Sequence, residues 1–156
     1  MVNDVIDILV AQGVSPQKTS STTLTFSQDG LNFVFQADLE DDPSYFRLML
    51  PDIEPDMGDM SFVYEKIAKV SSLFKGGKCV IINEMVWISV EGFSYDPTSL
   101  PSLIKRMINV LKDMVKAYRT YGSEQNIPAE SSHKYYLGIS NSLNGYYSSG
   151  GICPFG

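Results

Sequence analysis

Between Cys79 and Phe93 the chain alternates with a period of two. Val86, Ile88 and Val90 interleave with Trp87, Ser89 and Glu91, and Val80 and Ile82 with Cys79 and Ile81. This is the spacing of strands with two unlike faces. Asn83-Glu84 separates the two halves as a two-residue reversal, so the stretch reads as a β-hairpin and as the spine of a sheet. Three strands are predicted upstream. Thr23-Leu24-Thr25-Phe26 alternates, and Gln28-Asp29-Gly30 turns the chain with Gly30 at positive φ. Leu31, Phe33 and Phe35 then alternate with Asn32, Val34 and Gln36. After the acidic reversal Glu40-Asp41-Asp42-Pro43, Tyr45 to Leu50 sends Phe46, Leu48 and Leu50 one way and Tyr45, Arg47 and Met49 the other.

The helical period of 3.6 appears three times. Asn3 is the expected cap of a helix running to about Gln12 and closed by Gly13. Its Val5, Ile6, Ile8, Leu9 and Val10 predict burial on more than one side. Residues 14 to 21 read as a connector in which Pro16 bars a helix. Asp59 or Ser61 caps a second helix carrying Val63, Ile67, Val70 and Phe74, ended by Gly76-Gly77. The longest helix runs from about Pro101 to Tyr121, with Gly122 as its stop. Leu103, Ile104, Met107, Ile108, Leu111, Met114, Val115 and Tyr118 form its apolar face. Lys105, Lys112, Lys116 and Arg119 stand on the opposite side, a possible docking stripe. From Ser123 the periodicity stops, and Tyr135-Tyr136 and Tyr146-Tyr147 sit among Ser, Asn and Gly. The chain therefore divides into one α+β domain, residues 1–122, and a Tyr/Ser/Gly-rich segment, residues 123–156, expected to dock on the domain or on a neighbour.

Composition narrows the class. At 156 residues with 44% hydrophobic and 19% charged side chains, the chain can build a sizeable core without disulfides. No apolar run reaches the ~18 residues of a membrane span, and the start Met-Val-Asn-Asp lacks the basic, apolar order of a secretory signal. Two cysteines, Cys79 and Cys153, give neither a disulfide framework nor zinc spacing, so a cytoplasmic setting is expected. The net charge of −6 is uneven: residues 1–60 hold eleven acids against Lys18 and Arg47, whereas residues 61–156 hold seven acids against ten bases. An acidic chain is a poor partner for phosphate backbones, so neither nucleic acid nor a membrane is expected as a partner.

The element order α-β-β-β-α-β-β-α, with a two-strand hairpin between the second and third helices, resembles the fold of type III secretion chaperones. It also resembles the YbjN-like bacterial family, whose members are labelled sensory-transduction regulators. The resemblance covers about residues 2 to 121. It is most specific from the helix Phe62 to Phe74, through Val80 to Val90, into Leu103-Ile104-Lys105-Arg106-Met107-Ile108. It implies a single antiparallel-type sheet of about five strands, an acidic and often dimeric cytoplasmic protein, and no catalytic residues. Lys66 to Ser72 stands where that family carries an Asn-rich middle helix, and residues 123–156 have no counterpart.

No constellation of reactive residues is legible. His133, the one histidine, has no Ser, Cys or Asp partner placed beside it. Cys79 sits in an apolar strand, where a thiol behaves as a small hydrophobe despite Lys75 and Lys78 nearby. Asp52, Glu54, Asp56 and Asp59 miss the calcium-loop spacing, since Gly58 falls seventh and Val63 twelfth. No metal and no cofactor is expected. The feature that calls for explanation is the second sheet face, assigned Val34, Tyr45, Met49, Ile81, Met85 and Trp87. A non-enzymatic protein-interaction module is the expected function, binding a polypeptide or a second copy of itself through that face. The alternatives are a small-ligand binder or enzyme with a pocket between the last helix and the sheet, and a structural domain of a larger assembly.

Overall fold

The computed structural model describes residues 1–37, 41–54 and 57–122. Its first helix, α1 (Val2–Ala11), buries Val2, Val5 and Leu9, one stripe at helical spacing. Met1 rather than Asn3 is the cap residue, and the Asn3 Oδ1 accepts instead from Lys18 Nζ at 3.2 Å. Burial is one-sided, with Val10 57% exposed. The C-terminus closes as a Schellman motif: Val14 N–H donates to the Leu9 carbonyl and Gly13 N–H to that of Val10, with Gly13 at φ +77°.

Six strands follow among the described residues, one more than the pattern predicts. The addition is β1 (Gln17–Lys18), which pairs Gln17 with Thr25 and Lys18 with Leu24. Two residues carry no period, so this strand reads as connector until its partner is known. The others are β2 (Thr23–Gln28), β3 (Leu31–Ala37), β4 (Tyr45–Leu50), β5 (Gly77–Ile82) and β6 (Met85–Phe93). All neighbours are antiparallel in the order β1-β2-β3-β4-β6-β5. The hairpin therefore enters the sheet through β6, leaving β5 as an edge. Both tight hairpins use positive φ at two successive residues, Asp29 and Gly30 in one, Asn83 and Glu84 in the other. That turn matches the right-handed twist of the flanking strands.

α2 (Met60–Leu73) is capped by Asp59, whose side chain accepts from Ser61 N–H at 2.9 Å. α3 (Leu100–Thr120) buries Ile104, Met107, Ile108, Leu111, Met114, Val115 and Tyr118. One core cluster joins these helices to Leu24, Phe26, Phe33, Phe35, Phe46, Leu48, Val86, Ile88 and Val90. Phe26 and Phe33 stack within it at 4.9 Å. Gly77 opens β5 rather than ending α2, and a Cβ there would run into the Met114 sulfur. None of the described helices is long and apolar enough to cross a membrane. His133, Cys153 and the whole segment 123–156 lie outside the described residues.

Candidate functional site

All three described helices pack on one face of the sheet, and no helix among the described residues covers the other. The open face is laid out by register. Thr23, Gln36, Arg47 and Glu91 form one row, and Thr25, Val34, Met49, Ser89 and Lys78 the next. Trp87 pairs with Val80 and Met85 with Ile82 beyond them, while Tyr45 pairs with Phe93 at the opposite end.

Of the six residues assigned to this face by sequence, five stand on it. Ile81 does not: it pairs with Val86 and packs against the core. The two-residue turn at Asn83-Glu84 makes Ile82 and Met85 partners, and counting back one residue on each strand places Ile81 on the side of Val86 and Ile88. Val80 and Ile82 take its place outside, 38% and 40% exposed. Met49 is buried although it stands outside the core cluster. Trp87 and Tyr45 are half-buried.

The open face is not uniformly apolar. Arg47 donates to the Gln36 side-chain oxygen through Nε at 2.9 Å and Nη2 at 2.6 Å, and Lys78 Nζ pairs with Glu91 at 2.8 Å. These four side chains make a polar belt across β3, β4, β6 and β5. On one side of the belt lie Val34, Met49, Val80, Ile82, Met85 and Trp87. On the other lie Tyr45 and Phe93, rings 5.4 Å apart, followed by Tyr95. Burial raises the Tyr45 pKa and the nearby Glu91 carboxylate raises it further, so the phenol stays neutral. In the first patch the Trp87 indole Nε1 is shut from water and has no hydrogen-bond acceptor among the described residues, a condition that costs about 1–3 kcal/mol.

The edge strand β5 is partly closed. Cys79 N–H points away from β6 and donates to Ser71 Oγ of α2 at 3.1 Å. By the alternation of strand hydrogen bonds, Gly77 and Ile81 share that outward direction. The Cys79 thiol is buried and its pKa is pushed up to about 11 by desolvation, the setting of an inert thiol.

The helix layer, on the far side of the sheet, carries the predicted basic stripe. Lys105, Lys116 and Arg119 are exposed, but Lys112 Nζ lies 2.5 Å from Asp29 Oδ2 and ties α3 to the β2–β3 turn. The stripe and the sheet face are thus not brought together. A groove of about 800 Å³ opens beside α3, lined among others by Phe74, Val90, Leu103, Lys105, Met107 and Asp113. Burial raises the Asp113 pKa, with Lys116 acting in the opposite sense. Behind α2, the buried Lys66 pairs with Glu54 at 2.5 Å and sits over the Tyr118 ring at 4.3 Å. The Tyr118 hydroxyl is buried without a hydrogen-bond partner among the described residues, and burial, then the Glu54 charge, raises its pKa. Lys66 is not singled out by the sequence; Val63 and Val70, three residues before it and four after, are buried and are the sign of its inward direction. Among the described residues no three of His, Cys, Asp and Glu come together as a metal site.

No family model matches the chain, and no curated protein matches it. Among solved structures it is similar to YbjN from E. coli, provisionally described as a transcription regulator. The TM-score is 0.53 at 10% identity, over 74% of this chain and 88% of that one. With its single antiparallel sheet backed by three helices, the chain has a YbjN-like fold.

Proposed function

We propose that this protein is a non-enzymatic adaptor that binds a polypeptide, a protein partner or a second copy of itself, through the open face of its sheet. The observation that carries the reading is the patch of Val34, Met49, Val80, Ile82, Met85 and Trp87. It lies outside the core cluster, and Val80 and Ile82 within it are exposed although apolar. Trp is the side chain most suited to anchor such a contact. Face docking is favoured over strand addition at β5, because Ser71 already takes the Cys79 amide. A regulatory role exerted through protein contact also fits the description of YbjN. The net charge of −6 argues against direct binding to nucleic acid.

A photo-crosslinking amino acid placed at Val80 or Ile82, and as a control at Lys116, tests the proposal in cells. A defined polypeptide adduct at 80 and 82, absent at 116, is the expected result. No adduct at the patch, or the same adducts at all three positions, sinks it.

A second reading has the groove beside α3 in its favour: its size suits a small ligand, and its lining mixes apolar and charged groups. Val110→Trp would fill that groove. Ligand-induced thermal shifts that vanish in this variant would support ligand binding there.

A further inference from the structure

We infer that the far end of the open face, built from Tyr45, Phe93 and Tyr95, receives an arginine-bearing segment of the protein partner. The inference rests on the adaptor reading and adds the chemistry of what is bound. Tyr45 opens β4, Phe93 closes β6, and the two are cross-strand partners. Their rings meet at 60°, and Tyr95 continues the row, parallel to Phe93 within 6° at 6.4 Å. Phe93 is 52% exposed and Tyr95 83%. Such rings gain little from the fold they belong to, and the polar belt separates them from the Trp87 patch. The platform is nevertheless held in place, since Ser94 N–H donates to the Ser44 carbonyl at 2.9 Å and joins the two flanking loops.

The turns next to this platform carry acids. Asp42 accepts from Ser44 N–H at 2.9 Å and from its hydroxyl at 2.5 Å, and Asp96 accepts from Thr98 N–H at 2.9 Å and from its hydroxyl. Those bonds hold both carboxyls below the usual aspartate range, so both stay charged. By sequence, residues 41–46 contain Asp41 and Asp42 and no base, and residues 92–104 contain Asp96 and no base. Of the cations of the neighbouring belt, Lys78 is paired with the Glu91 carboxylate, while Arg47 is held by two hydrogen bonds to the neutral Gln36 and keeps its charge. Exposed π-faces with carboxylates on the adjoining turns match a planar, weakly hydrated cation that stacks and donates in a fork. Guanidinium meets that description, whereas the ammonium of lysine is compact and strongly hydrated. A neutral proline-rich ligand would use the rings and leave the acids idle.

The test is a titration of the isotope-labelled full chain with blocked octapeptides of alternating glycine and arginine, glycine and lysine, or glycine and proline. The arginine peptide should shift the amide resonances of Tyr45, Phe93 and Tyr95 and bind several-fold tighter than the lysine peptide. Phe93→Ala with Tyr95→Ala should weaken it about tenfold without changing net charge. Tyr95→Ala alone, at a position outside the strands, should account for part of that loss. Equal affinity for arginine and lysine, full affinity in the double variant, preference for the proline peptide, shifts elsewhere, or no binding would each overturn the inference. Failure here leaves crosslinks at Val80 and Ile82 intact. Failure of the adaptor reading removes those crosslinks whatever the peptides do.

Discussion

The two faces of this sheet are made by the same six strands and the same alternation, yet they differ in kind. On the helix side, Leu24, Phe33, Phe35, Phe46, Leu48, Val86 and Ile88 are all but fully buried in one cluster. On the other side, Gln36, Arg47, Glu91 and Lys78 divide an apolar patch from an aromatic one. A face meant to disappear under helices has no use for charge. A face that spends time in water and meets a partner needs charge to stay soluble and to fix register. The polar belt is therefore the physical reason to treat the flanking patches as sites rather than as unfinished core.

The sharpest way to break this contrast is to cut into the core face. Phe35→Ala should cost about 3–5 kcal/mol, the transfer of a buried ring plus the cavity left behind. Urea unfolding would read it directly. A loss no greater than that of Trp87→Ala would mean that the two faces are energetically alike.

The next effect is set by pH at the core side of β5. Burial holds the Cys79 thiol at about 11 against an ordinary 9.0. On raising the pH, the unfolded chain gives up this proton first, so the folded state loses relative stability. The contribution is intact below pH 9 and falls by roughly 2–3 kcal/mol towards pH 11, at ~1.4 kcal/mol per unit. The Tyr118 phenol, also raised by burial, acts with the same sign. Cys79→Ala should flatten the part of the slope that begins near pH 9 in unfolding curves measured from pH 7 to 11.

Most of the fold is legible in the sequence because most of it is periodic. The alternation of Leu31 to Gln36 and of Val86 to Glu91, and the apolar face of α3, name their elements without help from the rest of the chain. β1 is not legible, since two residues have no period and only the register against Thr25 and Leu24 makes them a strand. Ile81 is misplaced by alternation alone, although the sequence contains the correction: a two-residue turn fixes the pairing of Ile82 with Met85, and parity does the rest. The open face is legible as a list of residues but not as a pattern. Its belt depends on which residues of β3, β4 and β6 fall in one row, and strand order is a long-range fact. The aromatic end escapes the sequence for the same reason, since Tyr45 and Phe93 are neighbours only once β6 is seated beside β4.

Two smaller predictions test the hairpin that bears the first patch. Trp87→Phe keeps an aromatic ring and removes the indole N–H that has no acceptor among the described residues. It should leave the isolated protein equally stable or up to ~1 kcal/mol more so, as urea unfolding would read. Glu84 sits at φ +60° with a Cβ in the left-handed region. Glu84→Gly relieves that strain and loosens the unfolded chain, for a net gain of about 0.5–1 kcal/mol in thermal unfolding.

The smallest effect on stability should accompany the largest effect on binding. Val80 and Ile82 are exposed, point away from the core, and flank Trp87 and Met85 across the strand pair. Replacing both by Thr keeps a branched Cβ suited to a strand and removes methyl surface already facing water, so unfolding should shift by no more than ~0.5 kcal/mol. A partner seated on this patch would lose its dry contact and meet two hydroxyls instead, which should weaken capture well beyond what the stability change explains. Equilibrium unfolding and partner capture measured on the same double variant separate the two quantities. A large loss of stability would return Val80 and Ile82 to the core and erase the distinction between the faces, and unchanged capture would show that the partner docks elsewhere.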